Sequence, residues 1–313
     1  MGRRPSLLAL VALLAASCGG SGAETVTTVA PLPRLGGGTL ALAADDDIAV
    51  VEVGGGELRV VVSAPGPQFD PDWSPDGTQL VYRDSRAGVN VDDEIYVAPA
   101  DGSGEVNLTR NTANDWSPAW SPNGDQIAFA SDREGELRIF VMDAADGSGV
   151  RRITEIWGEY PAWSPDGTQI AFASHVGGTS PQGDPNYDVF VVNADGSGLR
   201  QLTDHPAVDM YPTWSPDGTR IAFESTRATP EGFEPPARDR ERTADYDVFV
   251  VPAEGGRARN LTRDPARLQK FPDWSPGGGW LVVDEEGAVA FVPADGSGRM
   301  RRPGLVGGFP AWG

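Results

Sequence analysis

Polar and apolar positions in this chain alternate in short runs, each bracketed by glycine or proline. "RIAFES" at Arg220–Ser225 has the two-residue period of a strand, and "YDVFVVNADGSG" at Tyr187–Gly198 carries a second apolar run into a glycine turn. No stretch of useful length repeats with the helical period of 3.6. Ahead of each alternating run stands one motif. "PTWSPDGTRIAF" (Pro212–Phe223) recurs as "PAWSPDGTQIAF" (Pro161–Phe172), "PDWSPDGTQLVY" (Pro71–Tyr82) and "PAWSPNGDQIAF" (Pro118–Phe129), with a weaker copy "PDWSPGGGWLVV" (Pro272–Val283) and a stump "PAWG" (Pro310–Gly313). Its Ser-Pro-Asp-Gly is tight-turn chemistry: proline presets φ, aspartate bonds its own backbone, and glycine accepts a positive φ.

The motif tryptophans are Trp73, Trp120, Trp163, Trp214, Trp274 and Trp312, spaced by 47, 43, 51, 60 and 38 residues. Such a period suits one four-stranded propeller blade per repeat, with loops absorbing the variation. A second turn recurs at Asp101–Gly104, Asp146–Gly149, Glu254–Gly256 and Asp295–Gly298. Short strands are expected to end at Leu108–Thr109, Ile153–Thr154, Leu202–Thr203 and Leu261–Thr262. "TLALAADDDIAVVEVGGGELRVVV" at Thr39–Val62 reads as three strands without a tryptophan-bearing first strand, and "GGFPAWG" at the other end is only that first strand. Pairing the two completes a blade and removes the open edges of an unclosed sheet. The expected fold is all-β: a six-bladed propeller over residues 39–313, closed by its C-terminal strand, with each tryptophan buried between blades.

On these repeats the chain resembles the TolB β-propeller family, whose repeat reads Trp-Ser-Pro-Asp-Gly followed by Ile-Ala-Phe. The resemblance covers Phe69 to Gly313, and the N-terminal strands fit less closely. TolB itself carries an α/β domain ahead of its propeller and serves envelope integrity through a lipoprotein partner. The 38 residues ahead of Thr39 leave no room for such a domain, so the resemblance implies a TolB-like propeller rather than TolB.

The N-terminus reads as an address. Arg3 and Arg4 precede an apolar run at Leu7–Leu14, well short of the ~20 residues of a membrane span. "LLAASC" then resembles a bacterial lipobox ending at Cys18, the chain's one cysteine. Residues 1–17 are therefore read as a lipoprotein signal, Cys18 as the lipidation site, and 18–38 as a Gly/Ser/Thr/Ala-rich tether. The expected place is the bacterial cell membrane, on its periplasmic or outer side. The net charge of −20 becomes −22 once Arg3 and Arg4 leave with the signal, a surface that repels phosphate backbones and excludes nucleic acid as a partner. A monomer is expected.

If the two families of turns share one face, the opposite face carries the channel mouth. Aromatic residues stand three or four positions before the tryptophans: Phe69, Trp116, Tyr160, Tyr211, Phe271 and Phe309. Around one mouth they suit a sugar ring, a peptide or an apolar group, or else they cap the core between blades. Two long loops, 174–188 and 225–247, lie on the same face. The second holds Arg227, Arg238, Arg240 and Arg242, either a lip for a carboxylate or a solvated charge run. The two histidines, His175 and His205, stand near Asp184, Asp204 and Asp209, so a divalent metal is the one cofactor these residues suggest. The acidic runs Asp45–Asp47 and Asp92–Glu94 lack EF-hand spacing and read as solvated loop tips.

The chain has no G-x-S-x-G elbow of the kind that accompanies prolyl-oligopeptidase-type propellers, no GxxxxGK[ST] phosphate loop and no cysteine-based metal cluster. The reading favoured is a non-enzymatic, surface-anchored propeller recognising an envelope or extracellular protein, a peptide or a glycan at its mouth. The alternative is a metal-dependent lyase or hydrolase of extracellular polysaccharide using His175 and His205.

Overall fold

The computed structural model describes residues 28–29, 35, 37–88, 91–179, 185–228, 245–263 and 267–313. Leu7–Leu14, Cys18, Asp184, Arg238, Arg240 and Arg242, singled out in the sequence, lie outside them. Every described element is a strand, and the chain forms a six-bladed β-propeller.

Blade one pairs Gly308–Trp312 with Thr39–Ala44, Asp47–Glu52 and Arg59–Val62. Leu40 stands opposite Trp312 and Ala41 opposite Ala311, while Thr39 and Gly313 exchange backbone hydrogen bonds at 2.9 Å. Blades two to five open with Gln68–Trp73, Asp115–Trp120, Glu159–Trp163 and Asp209–Trp214, each followed by three antiparallel strands. Blade six ladders Lys270–Trp274, Trp280–Asp284 and Val289–Pro293. Its outer position is held by two isolated bridges, Phe291 to Arg301 and Ala288 to Val306.

The core is distributed in six apolar clusters, one at each contact between neighbouring blades. Trp214 packs with Val189, Val191 and Leu202 of blade four and with Ile221, Phe223 and Phe249 of its own blade. Trp312 joins Leu40, Leu42 and Val51 of blade one to Val282 and Phe291 of blade six, which closes the circle. Five of the six motif tryptophans are buried and Trp163 is half-buried. Trp214→Ala should therefore cost about 3–5 kcal/mol, as large-to-small changes in tight cores do. Urea unfolding checks this, and a loss below about 1 kcal/mol would show that the indole is not the packing element.

Side chains finish what the ladders leave open. In the Ser-Pro-Asp-Gly turn, Asp217 Oδ1 accepts from Ser215 Oγ at 2.6 Å and from Thr219 N at 3.0 Å, while Arg220 N donates to Ser215 Oγ at 3.0 Å. Gly218 sits at φ +69°, and a Cβ there would meet Pro165 of the preceding blade at 3.3 Å. The outermost strands are shorter than the sequence implied. In blades two to five they end before the Leu-Thr or Ile-Thr pair, whose threonine hydroxyls accept from amides of the third strand of the same blade, as Thr109 does from Ile95 N at 3.0 Å. Arginines latch blade to blade at carbonyls of the neighbouring turn: Arg59 to Ala100, Arg151 to Ala194 and Arg200 to Ala253.

Three further placements differ from the sequence reading. Within the stretch read as tether, Thr28–Val29 pairs with Gly56–Glu57, Leu35 is buried against blades six and one, and Gly37 O accepts from Trp312 Nε1 at 3.2 Å. The stretch 174–188 is largely strand, because Gln169–Thr179 and Pro185–Asn193 extend as one hairpin that places His175 opposite Tyr187. Asp93, read as part of a solvated loop tip, is fully buried and accepts from Trp116 Nε1 at 2.8 Å.

Candidate ligand-binding channel

The innermost strand of every blade carries the same irregularity. A proline two residues before the tryptophan has no N–H to give the ladder, so pairing skips from four residues before the tryptophan to one before it. The residue ahead of that proline turns into the left-handed region. It is Asp70, Ser117, Tyr160, Tyr211, Phe271 or Phe309, with φ between 47° and 54°. Non-glycine residues rarely adopt such angles, and aromatic ones less often still. All six side chains line a central cavity of about 260 Å³.

The ring is two-sided. One arc is aromatic: Tyr160 and Tyr211 stack with centroids 3.7 Å apart, Tyr211 meets Phe271 edge-on at 4.5 Å, and Phe271 stacks on Phe309 at 4.2 Å. Phe69 joins through an edge contact to Phe309 at 5.9 Å, beneath the Arg83 guanidinium at 4.5 Å. The other arc is polar. Ser117 Oγ donates to Asp70 Oδ2 at 3.5 Å, and Arg83 Nη1 stands 3.9 Å from the same oxygen. Burial raises Asp70 above the usual carboxylate range, against the pull of Arg83.

Deeper in the channel, Asp72 and Asp273 lie one residue before their tryptophans and reach across to the next blade. Asp72 Oδ2 accepts from Trp120 N and Asp273 Oδ2 from Trp312 N, both at 2.7 Å. Desolvation pushes Asp72 up to about 7, with the charge of Asp273 adding to it, and pushes Asp273 up to about 6. Two more acids back the aromatic arc. Glu159, beside Tyr160, is raised by burial to about 7. Glu224, raised by burial to about 7 against the pull of Lys270, accepts from Phe271 N at 3.1 Å.

The six aromatics singled out in the sequence therefore belong to two registers. Tyr160, Tyr211, Phe271 and Phe309 occupy the ring, and Phe69 edges onto it from one position earlier. Trp116 turns away, packing among Ile139, Phe172 and their neighbours with its indole on Asp93. The ring residues missed were Asp70 and Ser117, together with Asp72 and Asp273 below. The residue ahead of the recurrent proline was the signal that would have found the first two.

Arg227 is taken up by its own blade. Its guanidinium pairs with buried Asp209, donates to Ser225 Oγ at 3.1 Å and lies 5.2 Å from the rings of Phe223 and Phe249. The histidines occupy separate settings. His175 packs 4.9 Å from Trp157 and 5.6 Å from Tyr187. Among the described residues, His205 Nδ1 is buried without a hydrogen-bond partner, and burial followed by the charge of Arg227 lowers its pKa. Among the described residues, no group of three or more His, Cys, Asp or Glu side chains is placed to hold a metal ion.

The repeats that build this ring match the family described as the TolB beta propeller domain over residues 43–160 and 155–234, more than half of the chain. The chain belongs to the TolB β-propeller family. Among solved structures, TolB from Acinetobacter baumannii is similar with a TM-score of 0.68 at 22% identity. That match covers 88% of this chain and 66% of the other, so this TolB-type propeller spans just under two thirds of its relative's length. Putative TolB from Agrobacterium tumefaciens gives 0.64 at 20% identity, covering 88% of this chain and 89% of that one. An oligogalacturonate lyase in complex with manganese is more distant, at 0.57 and 15% identity, covering 88% and 78%. At these identities the likeness is one of fold.

Proposed function

We propose that this TolB-type propeller is a non-catalytic binding protein of the cell envelope that holds a partner protein or peptide at its channel mouth. The observation that carries the reading is the two-sided ring. Six residues in a backbone conformation that costs energy at each position converge on one cavity, and strain of this kind concentrates at functional sites. Rings presented beside carboxylates suit an inserted peptide group, which offers apolar surface and hydrogen bonds together. Membrane anchoring through Cys18 is part of the proposal. So is partner contact on the face opposite the Ser-Pro-Asp-Gly turns.

Filling the channel without unfolding it provides the test. Four of the six ring positions carry Tyr or Phe at the φ that Ser117 adopts, so Ser117→Phe should fold and plug the cavity. Wild type, Ser117→Phe and Asp146→Asn, which alters an exposed turn on the other face, would each be used to capture partners from native membranes. A partner set retained by wild type and Asp146→Asn but lost by Ser117→Phe is expected. Identical sets for all three would remove the mouth as the site. Turnover of a polysaccharide that disappears in His175→Ala would replace binding with catalysis.

A further inference from the structure

We propose that the group the channel mouth takes is an organic cation, an ammonium or guanidinium at the tip of a lysine or arginine side chain on an extended peptide. The inference rests on the reading of the mouth as a binding site and adds the chemistry of what enters. Among the described residues, those lining the cavity include three carboxylates, Asp70, Asp72 and Asp273, and no basic side chain. An anion is repelled there. A neutral apolar group would strip water from the carboxylates and return nothing.

Asp70 is held by longer contacts than the other two. Its side chain is 13% exposed, its hydrogen bond from Ser117 Oγ is long at 3.5 Å, and Arg83 approaches no closer than 3.9 Å. Arg83 is divided, since it lies equally far from Asp93. Asp72 and Asp273 are each committed on one oxygen to a tryptophan amide, and Asp273 on the other to Thr213 Oγ1 at 3.2 Å.

The opposite arc supplies what distinguishes an organic cation from a hard metal ion. Tyr160, Tyr211, Phe271 and Phe309 offer ring surface, and π faces attract ammonium and guanidinium groups. Hard cations prefer shells of oxygen ligands. Size points the same way. About 260 Å³ is below the ~300–1,000 Å³ typical of drug-sized ligand pockets, so one side chain enters while the chain that carries it stays at the rim.

The test uses the full chain and four blocked pentapeptides, Gly-Gly-Xaa-Gly-Gly, with arginine, lysine, citrulline or norleucine at the centre. Citrulline keeps the shape of arginine without its charge. Binding is read by ligand-observed NMR titration into the millimolar range at pH 8, since burial raises the cavity carboxylates and their charged form gains population as pH rises. Arginine and lysine peptides should bind at least tenfold more tightly than citrulline and norleucine peptides, and Asp70→Asn should abolish that preference. Asp146→Asn removes the same unit of charge from an exposed turn and should leave it intact, which separates a local site from general attraction to a chain of net charge −20. Melting curves of both variants confirm the fold.

Citrulline binding as well as arginine would overturn the cation while leaving the mouth reading in place, provided Ser117→Phe abolishes both. Equal loss of preference in both Asp variants, or no binding by any of the four peptides, would also overturn it. The mouth reading itself is decided separately by partner capture.

Discussion

Deleting Gly308–Gly313 should prevent the chain from folding to a soluble monomer. The six residues remove Trp312 from the contact between blades six and one, and burial of such a side chain contributes about 3–5 kcal/mol. They also remove the ladder to Thr39–Ala44, at about 1 kcal/mol for each hydrogen bond. The 2.7 Å bond from Trp312 N to Asp273 Oδ2 goes as well, leaving that carboxylate with Thr213 Oγ1 on its other oxygen but without its strongest amide donor. Together these losses approach the whole ~5–15 kcal/mol that keeps a domain folded. What survives exposes the edge of Thr39–Ala44, and an open edge recruits other chains. Size-exclusion chromatography and circular dichroism of the truncated protein check this. A monomer melting within a few degrees of the full chain would mean that the ring does not depend on its last strand.

Thermal stability should fall as pH rises from about 4 to about 8, and buried carboxylates in and around the blades' inner strands should cause it. Asp72, Glu159 and Glu224 are pushed up to about 7, and Asp273 and Asp188 to about 6, in each case by burial first. In the unfolded chain such groups release their protons near pH 4. Between those values the folded protein holds more protons than the unfolded one, so stability declines with rising pH. Below about pH 4 the sign reverses. Asp76, Asp166 and Asp217 in the Ser-Pro-Asp-Gly turns are held low by hydrogen bonds from their neighbouring Ser and Thr residues, and their contribution is lost as they protonate. The optimum is expected near pH 4.

General repulsion at net charge −20 would give a similar decline, and variants separate the two causes. An asparagine at position 72 can still accept from Trp120 N through its amide oxygen. Asp72→Asn should therefore match wild type near pH 4 and exceed it at pH 8 by ~1–2 kcal/mol, since one pKa unit is worth about 1.4 kcal/mol and solvent screening offsets part of a full shift. For a domain of this size that corresponds to a few degrees in Tm. Parallel melting curves for wild type and Asp72→Asn at both pH values would assign the slope to general repulsion instead.

The fold was legible because its signals are redundant. Six tryptophans report the blade period, and the incomplete ends at Thr39–Val62 and Gly308–Gly313 complement each other. The mouth was only half legible. Phe69 and Tyr160 look alike in sequence, yet the proline-driven skip in pairing sends the position ahead of the proline into the channel and the one before it sideways. Trp116 faces blade packing for that reason. Asp72 and Asp273 were passed over because the residue before the tryptophan varies, being Ala in three repeats and Thr in another.

Arg227 misled by its neighbourhood. It sits at the start of a basic, proline-rich stretch, but the spacing Ser-x-Arg that it shares with Ser131 and Arg133 marks an arginine folding back on its own blade. Both stack on the blade's paired aromatics and bond a buried aspartate, Asp209 or Asp115. Buried acids such as Glu224 leave no pattern of this kind, because their partner is a backbone amide in the next repeat.

Phe309 belongs to the ring only because the last strand closes blade one, so closure underlies both the fold and the site. Amide hydrogen exchange on the full chain tests it most directly. The amides of Thr39, Trp312 and Gly313, each bonded across the closure, should exchange only with global unfolding, at the slow rate of the central strands. Exchange at the rate of a free tail would contradict a closed ring and remove Phe309 from the mouth.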